Sequence, residues 1–188
     1  AKTINLGLSY GMGRQKLTQA LGISDTEAEV LFKQYHRSVP FIRGLSNSCM
    51  RRASNKGYIT TLLGRRCRFN LYESAVEKSI PLPYKKAVEK WGEEDLIRAY
   101  TYKALNRLIQ GSAADMTKKA MVDLYKEKIV PLIQIHDELN ISIENKEQPK
   151  KVIEIMEQAV ELKVPNKVDY EVGEHWGSIQ KDISDEED

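Results

Sequence analysis

The chain has 188 residues, 41% apolar and 30% charged, which suits a folded globular body with a real core and excludes a disordered or fibrous chain. It has no run of 18 apolar residues, hence no membrane-spanning helix, and its first residues, AKTINLGLSYGMG, do not read as a secretory signal. The net charge of +2 joins two unlike halves: residues 1–70 carry twelve Lys/Arg against three acids, a balance of +9, and residues 71–188 carry 17 against 24, a balance of −7.

Residues 1–10 read as a helix that Gly7, Gly11 and Gly13 loosen and end. Lys2, Leu6 and Tyr10 recur at every fourth position and share one face. Such a stripe can offer an ammonium to phosphates, apolar surface to a sugar and a ring to a base, and it equally suits an amphipathic helix with a snorkelling Lys. Gly7 and Gly11 beside it each cost a helix about 1 kcal/mol, which points to something approaching the backbone closely there.

A capping box, Ser24-Asp25-Thr26-Glu27, predicts a second helix that stops before Pro40. A third helix over 41–55 closes at Gly57, and 58–63 reads as a short strand turning at Gly64. Arg51, Arg52, Lys56, Arg65, Arg66 and Arg68 concentrate the positive charge here. They form either a phosphate-attracting patch or a solvated helix face followed by a basic loop.

Pro81 and Pro83 mark residues 70–96 as irregular. A long helix is predicted over 96–129, with Leu105, Leu108, Ile109, Met116, Ala120, Met121 and Leu124 at spacings of three and four; Gly111 inside it marks a kink or a close backbone approach. Residues 131–144 switch to period two, 149–162 return to a helical pattern, and 167–172 read as a last strand before a tail with five acids in its last seven residues. Helices mixed with an antiparallel hairpin give the class α+β. Cys49 and Cys67, with no CxxC, offer neither a disulfide framework nor a zinc site and fit a reducing compartment.

In the period-two segment Ile133, Ile135, Leu139, Ile141 and Ile143 take the odd positions. Keeping all of them on one face puts Ile135 opposite Leu139 and leaves His136-Asp137-Glu138 as the turn. Adjacent acids on a rigid hairpin can hold a hard divalent cation, although the same triplet also makes an ordinary polar turn.

Five segments in order resemble family A DNA polymerases, the DNA polymerase I-like group. AKTINLGLSYGMG resembles the C-terminal part of the fingers-helix motif, GYITTLLGRR the segment after it, and LNRLIQGSAADMTKKAM the following helix. IQIHDEL resembles the palm motif with the catalytic Asp, and VGEHWGSIQ the C-terminus. The tract YKALNRLIQ and the long 70–96 connection look closer to phage enzymes. The resemblance implies a fingers portion over 1–96, a palm portion with the catalytic hairpin over 97–181, and an acidic tail over 182–188.

It further implies that Lys2 contacts the phosphates of an incoming dNTP, that Leu6 packs on its sugar and that Tyr10 sits by the template base. Asn106 and Gln110 would touch the primer-template DNA, with Arg65, Arg66 and Gly11 also on the DNA. His136 would lie near the primer terminus, Asp137 would ligate two Mg²⁺ ions, and Glu138 would support the site. The family usually carries Phe or Tyr where this chain has Leu6, which implies altered discrimination at the nucleotide's 3′ position.

The family's first catalytic Asp, its thumb and the Arg one turn before Lys2 lie upstream of this motif and are absent from the sequence. Two-metal transfer needs carboxylates from both places, so the expectation is the C-terminal part of a DNA-directed DNA polymerase, inactive by itself, that pairs with an N-terminal piece. A split gene, a processed or intein-interrupted precursor, or an excised fragment would each produce such a cut. The competing expectation is a non-catalytic nucleic-acid-binding or assembly subunit that retains the fold. Either belongs in the cytoplasm, that of the host if phage-encoded.

Overall fold

A computed structural model of the chain describes residues 2–179, apart from the side chains at positions 2, 3, 176 and 179. The acidic tail at 182–188 therefore lies outside the described residues. The chain divides into two compact units, one ending at Ser112 and the other starting at Ala113.

The first unit opens with α1 (Lys2–Ser9), α2 (Arg14–Leu21), α3 (Asp25–Ser38) and α4 (Pro40–Lys56). The predicted capping box is present: the Glu27 carboxylate accepts from the Ser24 N–H at 3.0 Å and from Ser24 Oγ at 2.7 Å, and Ser24 Oγ accepts from the Glu27 N–H at 3.3 Å. These bonds to Ser24 hold the Glu27 carboxyl below its ordinary value of 4.5. They favour the ionised form, so their stabilisation is complete above pH 4.5 and is lost as pH falls through the lowered folded-state value. Ser24→Ala should cost about 1 kcal/mol at neutral pH in denaturant titrations, and the gap from wild type should narrow on acidification below that range.

Helix α4 ends at Gly57, where φ is +74°. A Cβ there would stand 2.7 Å from Arg98 Cζ, so both the backbone turn and the neighbouring guanidinium require glycine. Strands β1 (Tyr58–Thr60) and β2 (Arg66–Arg68) then pair antiparallel, with Ile59 opposite Cys67. Ile59 sits in a buried cluster with Cys49, Ala53, Phe69, Ala104 and Leu105.

Residues 70–96 are not irregular. They form β3 (Leu71–Ser74), β4 (Leu82–Pro83) and α5 (Tyr84–Trp91), and β5 (Leu96–Arg98) completes an antiparallel sheet of order β4-β3-β5. Pro83 is accommodated because β4 is an edge strand that needs no donor there, and because it directly precedes a helix. The long helix consequently starts later than predicted, as α6 (Ala104–Lys126), after a short 3-10 turn at Thr101–Lys103. Tyr100, with φ +61°, breaks the chain direction between β5 and that turn. The sequence pattern also gives no sign of α2, an eight-residue helix with a single deeply buried residue, Leu17.

The second unit holds the C-terminal part of α6, the hairpin β6 (Ile133–Ile135) and β7 (Glu138–Asn140), and α7 (Gln148–Gln158). Lys151 Nζ, on α7, meets Glu127 Oε2 at 2.6 Å just past the end of α6. The strand expected at 167–172 does not form. That stretch is irregular, with the Val168 N–H donating to Glu157 Oε1 at 3.0 Å instead of to a strand partner. The architecture is thus a mix of helices and small antiparallel sheets, as α+β requires.

Candidate functional site

In the first unit, α1 buries one side and offers the other. Ile4, Leu8 and Met12 pack with Leu17, Ala28, Phe32 and Tyr35 from α2 and α3. Spacings of four put these residues on one face and leave Leu6, 47% exposed, on another. Ser9 Oγ donates to Asn5 O at 2.7 Å and shares a 2.7 Å hydrogen bond with Tyr35 Oη, which ties the end of α1 to α3. Lys2 opens α1, but its side chain lies outside the described part.

Tyr10 follows the last turn of α1, its N–H donating to Leu6 O at 3.0 Å. Its hydroxyl accepts from Gln110 Nε2 at 3.1 Å. Two residues picked from segments a hundred positions apart are therefore in direct contact. Asn106 lies one turn before Gln110 on α6 and is half-buried. Gly11 is exposed in the turn after α1, where its φ of +88° favours glycine, and no other part of the chain comes within 4 Å of where a Cβ would stand. At Gly7 the close approach comes from the chain itself: a Cβ there would collide with the end of the Met12 side chain.

The β1–β2 connection closes on itself and on α6. Thr61 is buried; its Oγ1 accepts from the Arg65 N–H at 3.0 Å and donates to Arg65 O at 3.1 Å. Arg65 Nη2 donates to Gly111 O at 2.8 Å, and Ser112 Oγ accepts from the Leu62 N–H at 3.0 Å. A Cβ on Gly111 would stand 2.8 Å from Thr61 Cγ2. Gly111 thus marks a close approach, one of the two readings its place in the helix allowed. Thr61, Leu62 and Ser112 were not singled out from the sequence, and nothing in their spacing would have paired them.

Arg66 is exposed, its guanidinium 4.7 Å from the centre of the Tyr58 ring. Arg51, Arg52, Lys56 and Arg68 are exposed as well, so this part of the unit carries a dense positive field. Arg107, absent from the predicted set, adds to it while donating to Arg68 O at 3.0 Å and covering Phe69.

In the second unit the hairpin register differs from the expected one. Ile135 pairs with Glu138, Gln134 with Leu139 and Ile133 with Asn140, so the turn is the two-residue His136-Asp137. Paired residues share a face, which sets Ile133 and Ile135 beside Glu138 and Asn140 rather than beside the other apolar residues. The apolar pattern failed to set the register because neither face is fully buried: Ile133 is 44% exposed, and Ile135 and Leu139 are half-buried. A two-residue turn instead follows the twist of the strands, and it takes His136 to φ +51°.

Gln134 Nε2 donates to His136 O at 2.5 Å and Asn140 Nδ2 donates to Glu138 Oε1 at 2.8 Å, bracing both sides of the turn. His136, Asp137 and Glu138 are all exposed. Among the described residues no three His, Cys, Asp or Glu side chains gather to hold a metal ion. Asp137 and Glu138 place two carboxylates, hard anionic donors of the kind a divalent cation prefers, at or beside this exposed turn. Asp115, on the same unit's part of α6, is buried. No described helix is long and apolar enough to cross a membrane.

Residues 1–178 match the family model of DNA polymerase family A. The chain is 35% identical, over 94% of its length, to a DNA-directed DNA polymerase of Pseudomonas phage M6, and covers 29% of that protein. It is 37% identical, again over 94% of its length, to DNA polymerase I of Bacillus caldotenax, of which it covers 19%. Among solved structures, the POL domain of Pol1 from M. smegmatis, in complex with DNA primer-template and dNTP, matches 87% of this chain at a TM-score of 0.68 and 32% identity; 28% of that chain is covered. The chain spans about a fifth to under a third of the length of these relatives.

Proposed function

Because this chain belongs to DNA polymerase family A, we propose that it is the fingers-and-palm part of a DNA-directed DNA polymerase, which joins dNTPs to a primer 3′-hydroxyl as the template directs. The observation that carries this reading is the hydrogen bond between Tyr10 and Gln110, which joins the segment read as the nucleotide helix to the one read as the primer-template helix. Lys2 binds the triphosphate, Leu6 packs against the sugar, and Tyr10 with Asn106 and Gln110 lines the path of the template. Arg66 and Gly11 lie along the DNA, which the surrounding positive field favours.

Asp137 is the residue that would hold Mg²⁺, which when bound acidifies the primer 3′-hydroxyl and neutralises charge on the triphosphate. Glu138 supports it, and His136 lies near the primer terminus. The acids at the turn do not complete a two-ion site, so an N-terminal portion supplies the other carboxylate together with the thumb. Residues 1–96 form the fingers portion, 97–181 the palm portion and 182–188 a solvated tail. The work is done in the cytoplasm, the host's if the chain is phage-encoded.

The test is primer extension with Mg²⁺ and dNTPs, by this chain alone and after mixing with the N-terminal portion. Extension only in the mixture is the expected result. DNA binding by the mixture without extension would favour a non-catalytic binding subunit, and extension by the chain alone would remove the need for a second portion.

A further inference from the structure

Arg65 is read from sequence as a contact to DNA, yet its guanidinium is turned onto the protein. Nη2 donates to the carbonyl of Gly111, the residue next to Gln110 on α6. Three more observations converge on the same turn of helix. The buried Thr61 closes the β1–β2 connection around the Arg65 backbone. Ser112 Oγ takes the Leu62 N–H while donating to Leu108 O at 2.7 Å, within α6. The absence of a side chain at Gly111 lets Thr61 approach to where a Cβ would collide with it.

We propose that Arg65 is a positioning residue: through the Gly111 carbonyl it fixes the turn of α6 that carries Gln110, and so holds the Gln110 amide on the Tyr10 hydroxyl. A guanidinium suits this because its planar fork is set by its own stem, and a carbonyl inside a helix retains a free lone pair to accept it. The hairpin and α6 are then locked as one piece from Leu62 to Ser112. What freedom Gln110 retains is that of its own side chain, and the bond to Tyr10 restrains it. Small displacements of a group that orients a reacting strand weaken turnover more than affinity.

This rests on the reading of Gln110 as a primer-template contact. The experiment uses the polymerase assembled from this chain and its N-terminal portion, with Arg65→Gln, Ser112→Ala, Gln110→Ala and the double variant Arg65→Gln/Gln110→Ala. Single-nucleotide insertion at saturating primer-template gives kcat, and the dependence of DNA affinity on salt gives the number of phosphate contacts. For Arg65→Gln and Ser112→Ala alike, kcat should fall about tenfold with the salt slope unchanged. The double variant should be no worse than Gln110→Ala alone.

A phosphate contact behaves differently: Arg65→Gln would reduce the salt slope by about 0.9, and its loss would add to that of Gln110→Ala. That result overturns the proposal while leaving the polymerase reading intact. If Gln110→Ala itself leaves kcat unchanged in an active wild-type assembly, the role of Gln110 falls and the proposal with it. Ser112→Ala changes no charge, so it separates a lost clamp from a lost cation.

Discussion

Asp137→Ala in the assembled polymerase should lower primer extension by at least about 10³-fold, the several kcal/mol that a metal-held charge is worth in phosphoryl transfer. DNA binding should survive. Asp137 is the second residue of a two-residue turn, exposed, while the residue taking the left-handed backbone is His136. Alanine fits at position 137 without strain, and exposed substitutions of this kind change stability by less than about 0.5 kcal/mol. The turn keeps its braces, since Gln134 holds the His136 carbonyl and Asn140 holds Glu138. Loss of activity is therefore loss of a ligand, not of a fold. Unchanged extension would sink the catalytic role of the hairpin.

Ile59→Ala should destabilise the first unit by about 2–5 kcal/mol, measured as a shift of the denaturation midpoint at constant slope. Ile59 is 2% exposed and shares one buried cluster with Cys49 and Ala53 from α4, Phe69, and Ala104 and Leu105 from α6. These neighbours belong to three separate segments, so no single movement fills the space left by the lost carbons. Two of them are alanines, already small and close to backbone. A loss under about 1 kcal/mol would mean that the cluster collapses around the gap. The variant also tests the link to function, since Ile59 anchors the strand leading into the connection that carries Arg65.

The local rules were readable where one chemical signal fixes one geometry. Ser24 and Glu27 announced α3 because a capping box satisfies donors that no other arrangement reaches so cheaply, and Gly57 announced the end of α4. Pro83 misled because a proline bars a central strand or a helix interior but not an edge strand followed by a helix. The apolar alternation at 133–143 misled for another reason: alternation sets a register only when one face is sealed from water, and here both remain open. Of the candidate site, the chemical types were legible one by one. The Tyr10–Gln110 bond, the Arg65–Gly111 bond and the clamp at Ser112 depend on how distant segments cross, which no short-range pattern encodes.

Arg98 bears on how this chain can change length. From the end of β5 its Nε donates to Ser54 O at 3.1 Å and its Nη1 to Phe69 O at 3.0 Å, and its Cζ lies 4.9 Å from the centre of the Tyr72 ring. One side chain thus fastens the exit of the β3-β4-α5-β5 excursion to its entrance and to the last turn of α4. With the two ends held together, the entropic cost of closing what lies between them grows only slowly with its length, and the exposed stretch around Val76 and Ile80 can grow or shrink without pulling on β2 or α6. The same fastening makes Arg98 a poor place for lysine, which has one ammonium to spread over two carbonyls and a ring. The excursion is a hinged pocket-flap in the tailor's sense: cut to any size, provided the stitch at its root holds.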